Sequence, residues 1–231
     1  IEVQYKDYSE WQYTEVTKEK LEQQKQYWLS QFPDEPPVLN LPIDYPRPIV
    51  QSFEGKTVWF ELEREEAHRF KQLARETNTT TYILAFAIFY ILLSKLSGQE
   101  DIIIGTPVAG RSYPELESII GMFVNTLVLR NNPSHELPFN EFLEKVKKNT
   151  LDSFQNQDFP FEELVESVMV KRDMGRNPLF DVMFALQNEK EQEDGKREST
   201  NTDIQFSDNV SRFDITWLAV ESPEGLRFML E

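Results

Sequence analysis

Residues 101–130 read DIIIGTPVAGRSYPELESIIGMFVNTLVLR. Asp101 to Ile104 has the short, continuously apolar, β-branched character of a strand buried on both faces. A loop is expected to open at Gly105. Beyond it a second strand is expected, on which Phe123, Asn125, Leu127 and Leu129 share one parity, because strand side chains alternate between faces. Asn125 therefore points where three apolar residues point. A primary amide on such a face needs partners, since an unpaired buried polar group costs about 1–3 kcal/mol. It is either a core amide pinning a neighbouring loop or a group that lines a site.

The loop Gly105 to Ser112 mimics a phosphate-binding loop, in which glycines let backbone amides cradle phosphates while a lysine completes the site. Arg111 stands in place of the lysine, Pro107 removes an amide donor, and Tyr113-Pro114 interrupts the helix that should follow. A nucleotide-binding protein of the P-loop kind is thus an alternative with three departures against it.

Upstream, Val58, Phe60 and Leu62 alternate with Thr57, Trp59, Glu61 and Glu63, which predicts a strand over 56–63 with one face buried. Phe70, Leu73 and Ala74 mark a helix, and Asn78 to Thr81 offers N-caps for the next one, through Leu96. The apolar run Tyr82 to Leu93 is well short of the ~20 residues that span a bilayer. It reads as a core helix. At the start, Tyr5 to Trp11 opens a charged helical stretch to about Phe32, with Leu21, Trp28 and Phe32 on one face. Three prolines then hold Leu41 to Pro48 extended, as a connector crossing a surface.

Downstream, Pro138 begins an amphipathic helix with Phe139, Phe142, Leu143, Val146, Thr150 and Phe154 on one side. A second helix follows residues 156–160, with Phe161, Leu164, Val165 and Val168 inward and Asp158 at its start, placed to satisfy amides or to act in catalysis. Arg176 and Asn177 end a polar turn at the mouth of a strand over 181–186, a place where loops on rigid scaffolds carry function. Residues 189–201 have almost no apolar content and are expected to form a mobile loop. Strands over 211–221 and 226–231, joined by Ser222-Pro223-Glu224-Gly225, read as a hairpin.

The 231 residues suffice for a sizeable core, and a net charge of −16 argues against generic nucleic-acid binding. Cysteine is absent, so no disulfide, thiolate zinc site or cysteine nucleophile is possible, which fits a cytoplasmic location. No metal site and no membrane span are expected. The start at Ile1 and the strand-like end at Glu231 read as a piece cut from a longer chain. His68 and His135 are the two histidines; His68 lies off its helix's apolar face, and His135 sits between Pro133 and Pro138.

Four ordered motifs carry a resemblance. Tyr5-Lys6-Asp7-Tyr8-Ser9-Glu10-Trp11, Ile120 to Thr126 with Arg130, Asn156 to Glu162, and Arg172 to Leu179 resemble the fourth to seventh motifs of the condensation domains of nonribosomal peptide synthetases, in the chloramphenicol-acetyltransferase-like superfamily. Ser9 replaces the usual alanine and Gly175 the usual serine. The family's H-H-x-x-x-D-G motif, which contributes its catalytic histidine, is absent here.

The resemblance implies an α/β fold, a mixed β-sheet with flanking helices, as the C-terminal lobe of a two-lobed enzyme. Residues 1–50 would be an inter-lobe helix and proline-rich linker, and 51–231 the lobe. It implies amide formation between donor acyl or peptidyl and acceptor aminoacyl thioesters carried on phosphopantetheine arms, with no cofactor bound directly. The implied partners are the N-terminal lobe, peptidyl carrier domains and an adenylation domain. Gly105, Thr106, Pro107, Gly110, Arg111 and Asn177 would line the substrate tunnel, while Asp7, Trp11, Asn125, Arg130, Asp158 and Arg176 support it. The chain alone would be inactive and, with a cleft face uncovered, prone to self-association. A non-catalytic module that docks carrier domains is the second alternative.

Overall fold

The computed structural model describes residues 3–12, 14–168, 173–188, 210–222 and 225–231. In chain order the elements are α1 (Tyr5–Trp11), α2 (Glu15–Gln31), β1 (Val58–Leu62), α3 (Arg64–Glu76), α4 (Thr81–Ser97), β2 (Ile102–Val108), β3 (Asn125–Asn131), α5 (Phe139–Gln155), α6 (Phe161–Ser167), β4 (Val182–Asn188), β5 (Ile215–Glu221) and β6 (Leu226–Leu230). A single 3-10 turn, Pro114–Leu116, lies between β2 and β3. The six strands form one mixed sheet in the order β1-β6-β5-β4-β2-β3. The contacts of β4 with β2 and β5 are parallel; the other pairings are antiparallel.

The core gathers on α4, whose ends are set by local chemistry. The Thr80 hydroxyl accepts a hydrogen bond from the Ile83 amide at 3.2 Å, and Gly98, at φ 71°, closes the last turn. Between these caps Phe86, Phe89, Tyr90 and Leu93 are fully buried. Phe86 stacks on Phe184 of β4 with ring centroids 5.0 Å apart, and Phe89 meets Trp217 of β5 edge-on at 4.8 Å. This aromatic band continues across the sheet through Phe228 to Phe60. Tyr82 and Thr106 share a hydroxyl contact at 2.8 Å on the same face. The opposite face is covered by Phe180, whose ring lies between Phe161 and Phe213.

Several expectations need correction. The helical stretch from Tyr5 to Phe32 is two helices, because Thr14 turns extended (φ −72°, ψ 157°) as the N-cap of α2 and the Thr17 hydroxyl donates to the Trp11 carbonyl at 3.1 Å. The strand around Val58 has no fully buried residue; only Leu62 is half-buried, and Phe60 rests on Phe228 while still exposed. β1 is an edge strand of the sheet, and Val58 and Trp59 are 62% and 52% exposed. Gly105, Thr106 and Pro107 do not begin a loop but belong to β2. A Cβ at Gly105 would stand 2.4 Å from the Phe180 ring, so the glycine serves close packing within the sheet. Phe123 precedes β3 and packs with Leu116, Ile119 and Tyr8 in a second, smaller cluster. On β3 itself Val128 is as buried as Leu127 and Leu129, so both faces are covered. The 222–225 hairpin joins β5 and β6 in antiparallel register. Pro223 and Glu224 of its turn, the 189–201 loop and Arg172 lie outside the described residues.

Candidate functional site

The segment 109–124 between β2 and β3 is built as a braced loop. Gly110 adopts φ 64°, where a Cβ would fall 1.7 Å from the Phe123 carbonyl oxygen, so the chain passes itself at backbone distance. Arg111 donates from Nη1 to the carbonyls of Leu116 and Ile119, and its guanidinium lies 4.3 Å from the centroid of Phe123. Its hydrogen-bonding and its ring contact are therefore directed into the loop itself, an arrangement unlike a phosphate cradle.

Helix α1 closes over this loop with its aromatic side chains. Tyr5 donates to the Met122 carbonyl at 3.0 Å and meets Phe123 edge-on, Tyr8 leans on Phe123, and Trp11 meets Tyr113 edge-on at 5.2 Å. Asp7 acts within the helix, accepting the Gln4 amide at 2.9 Å in a capping box.

Asp158 makes no cap for α6. Its Oδ2 pairs with the Lys20 ammonium at 2.6 Å and receives Gln24 Nε2 at 3.4 Å, while Oδ1 accepts the Ser112 hydroxyl at 2.5 Å. One carboxylate thus joins α2, the braced loop and the α5–α6 connection. Burial by itself would raise its pKa, but hydrogen bonds from Lys20 and Ser112 outweigh that and hold it below the usual carboxylate range. Lys20 also reaches the Tyr113 hydroxyl at 3.4 Å.

Asn125 is half-buried with its amide fully used. Its Nδ2 donates to the carbonyls of Gln157 and Phe159, both at 2.8 Å, and its Oδ1 accepts the amides of Thr126 at 2.9 Å and Phe161 at 3.2 Å. It pins the α5–α6 connection to the first residue of β3. Arg130, at the other end of β3, makes a bidentate pair with Asp101 (2.9 and 2.6 Å) and also reaches Asp34 at 2.8 Å. That ties the end of α2 to the sheet.

A cleft of about 980 Å³ opens on the other side, where Val38, Ile103, Val165, Asn177 and Phe180 line one continuous surface. Arg176 turns inward there, donating to Asp181 at 2.5 Å and to the Leu39 carbonyl at 3.2 Å. Burial, opposed by Arg176, raises the pKa of Asp181. Asn177 is half-buried and donates from Nδ2 to the Arg212 carbonyl at 2.8 Å. Among the residues expected to line a tunnel, only Asn177 reaches this cleft. Gly105 and Thr106 are buried in β2, Pro107 is exposed on it, and Gly110 and Arg111 sit in the braced loop. His68 on α3 and His135 are both exposed.

Sequence reasoning missed two cations that brace these segments, Lys20 on Asp158 and Arg47, whose guanidinium pairs with Asp214. Nothing local in α2 marks Lys20, because its carboxylate is distant in sequence. Arg47 had a signal, a lone cation between Pro46 and Pro48 whose backbone path is fixed.

Among the described residues no group of three or more histidine, cysteine or carboxylate side chains is arranged to hold a metal, and no single helix is long and apolar enough to cross a membrane. A family model described as Condensation domain matches residues 1–231. Tyrocidine synthase 3 of Brevibacillus parabrevis is 48% identical over 230 residues, covering 100% of this chain but 4% of that protein. The chain thus spans a small fraction of the length of the curated relatives it matches. Among solved structures, the four-domain nonribosomal peptide synthetase holo-AB3403, bound to AMP and glycine, superposes with a TM-score of 0.79 at 25% identity, over 95% of this chain and 18% of that one. The condensation domain from the Monacolin K polyketide synthase MokA superposes with a TM-score of 0.74 at 19% identity, over 93% of this chain and 52% of that one.

Proposed function

The chain belongs to the condensation-domain family, and on that premise we propose that it is the C-terminal lobe of a domain forming amide bonds in nonribosomal peptide synthesis. The observation that carries this reading is the end-to-end match at 48% identity to tyrocidine synthase 3, with Asn177 of the seventh motif lining the cleft of about 980 Å³. The acceptor amine attacks the donor thioester carbonyl, a C–N bond forms, and the C–S bond breaks. The amine proton goes to the departing thiol. Both thioesters ride on phosphopantetheine arms of carrier domains, which are substrates here, and the chain's own part is to shape and hold the walls. Asn177 borders the reaction centre, and Gly105, Thr106, Pro107, Gly110 and Arg111 hold the tunnel's floor from behind. Asp7, Trp11, Asn125, Arg130, Asp158 and Arg176 fix the elements that carry it.

Residues 1–50 then bridge the lobes and 51–231 form this one. A row of exposed apolar side chains, Ile120 (96%), Met122 (79%) and Val124 (63%), supports a partner lobe, and the MokA domain of about twice this length supports its size. The 231 residues alone should be inert, since His68 and His135 stand on outer surfaces. Pairing the chain with a matching N-terminal lobe and assaying dipeptide formation between loaded carriers tests the reading. Turnover by this chain alone refutes the two-lobe division, and carrier binding without turnover in the pair identifies a docking module instead.

A further inference from the structure

Asn177 lies in an irregular turn, and Arg212, whose carbonyl accepts its Nδ2, lies in another. Neither is held by a helix or a strand. Arg47, from the proline-rich connector, holds both. Its Nη1 donates to the Gly175 carbonyl at 3.1 Å and to Asp214 Oδ1 at 2.9 Å, and its Nη2 donates to Asp214 Oδ2. Gly175 is two residues before Asn177 and Asp214 two after Arg212, so one guanidinium grips each segment beside the bond they share. The pair is mostly shielded, with side chains 23% and 21% exposed, so solvent screens it less than a surface ion pair.

The same connector adds a second hold. Gln51 donates from Nε2 to the Arg212 carbonyl at 2.9 Å and from its backbone amide to the Met174 carbonyl at 3.3 Å. The Arg212 oxygen thus receives two side-chain amides, those of Gln51 and Asn177. Gly175 permits this closeness: a Cβ there would stand 2.7 Å from the Pro48 carbonyl oxygen.

We propose that Arg47, acting with Asp214 and the Gly175 carbonyl, is a positioning residue that sets where the Asn177 carboxamide points at the reaction centre. The proposal rests on the reading of Asn177 given above. A planar fork bonded to three acceptors fixes distance and angle together, which a lysine's single ammonium does not. Reacting groups are sensitive to such placement, with about 1 Å of error costing on the order of a hundredfold.

The test uses the chain paired with its N-terminal lobe, in variants Arg47→Met, Arg47→Lys, Asn177→Ala and Asn177→Ala with Arg47→Met. Arg47→Met should lower kcat for dipeptide formation by roughly 10- to 100-fold and leave KM for the loaded carriers within about twofold. Arg47→Lys should recover only part of it, and should retain the fold if the methionine variant does not. On the Asn177→Ala background the Arg47 change should cost nothing further. In the 231-residue chain, the Asn177 side-chain NH2 resonances should shift and exchange faster on removing Arg47. Additive losses in the double variant, or unchanged Asn177 resonances in Arg47→Lys, overturn the proposal. If the wild-type pair forms no amide bond, the functional reading fails, and the resonances alone decide whether Arg47 holds Asn177.

Discussion

Replacing Asn125 probes the α5–α6 connection through one side chain. Asn125→Ala removes four hydrogen bonds, each contributing about 0.5–1.5 kcal/mol. Water recovers part of this at a half-buried site, leaving a loss of about 2–4 kcal/mol, or a fall in Tm of roughly 5–15 °C for a chain of this size. Asn125→Asp keeps the shape but inverts two contacts: an acceptor then faces the carbonyls of Gln157 and Phe159 at 2.8 Å. At pH 7 that variant should be at least as unstable as Asn125→Ala. Burying the charge against two carbonyls raises the new carboxyl's pKa in the folded state, so the folded state binds the extra proton more readily. The deficit should therefore shrink as the pH falls from 7 towards about 4, where the acid can donate to one carbonyl. Urea and thermal unfolding followed by circular dichroism measure both effects. An alanine variant within about 0.5 kcal/mol of wild type, or an aspartate variant as stable as wild type at pH 7, refutes the claim that this amide holds the connection.

Three further outcomes follow from the same structure. Gly110→Ala, forced to φ 64° against the Phe123 carbonyl, should lose more than about 1 kcal/mol in urea titration. Asp158, with a depressed pKa in the folded state, contributes stability that is present above its unfolded value near 4 and is lost as the pH falls through its lower folded value. Asp158→Asn should flatten the Tm profile below about pH 4. Finally, the chain alone should self-associate in light scattering. The combined Ile120→Ser, Met122→Ser, Val124→Ser variant should reduce this with Tm nearly unchanged, because those side chains are exposed.

The parts of the fold legible in the sequence were those fixed locally. Thr80, among the N-cap candidates Asn78 to Thr81, starts α4 by cap chemistry within a few residues, and the β-branched run at 102–104 marks β2 by composition. Alternation around Val58 distinguished two faces of β1 but carried no information on whether a layer covers either. Gly105 illustrates the converse. A glycine after an apolar run suggests a loop, yet here it is required by a phenylalanine ring 75 residues downstream, pressed on the sheet. The site divides in the same way. Asn125 announced itself as an amide in apolar surroundings, while the tasks of Asp158 and Arg47 depend on Lys20 and Asp214, partners that no local pattern connects to them.

The pairing of β1 with β6 joins residue 58 to residue 230 and residue 62 to residue 226. At synthesis rates of roughly 5–20 residues per second, Val58 to Leu62 emerges on the order of ten to thirty seconds before its only strand partner among the described residues. For that interval an edge carrying Val58, Trp59 and Phe60 has no hydrogen-bonded neighbour, the condition in which nascent chains recruit one another. Sheet closure is therefore a late, non-local event, and slow loop closure rather than helix formation should govern the refolding rate.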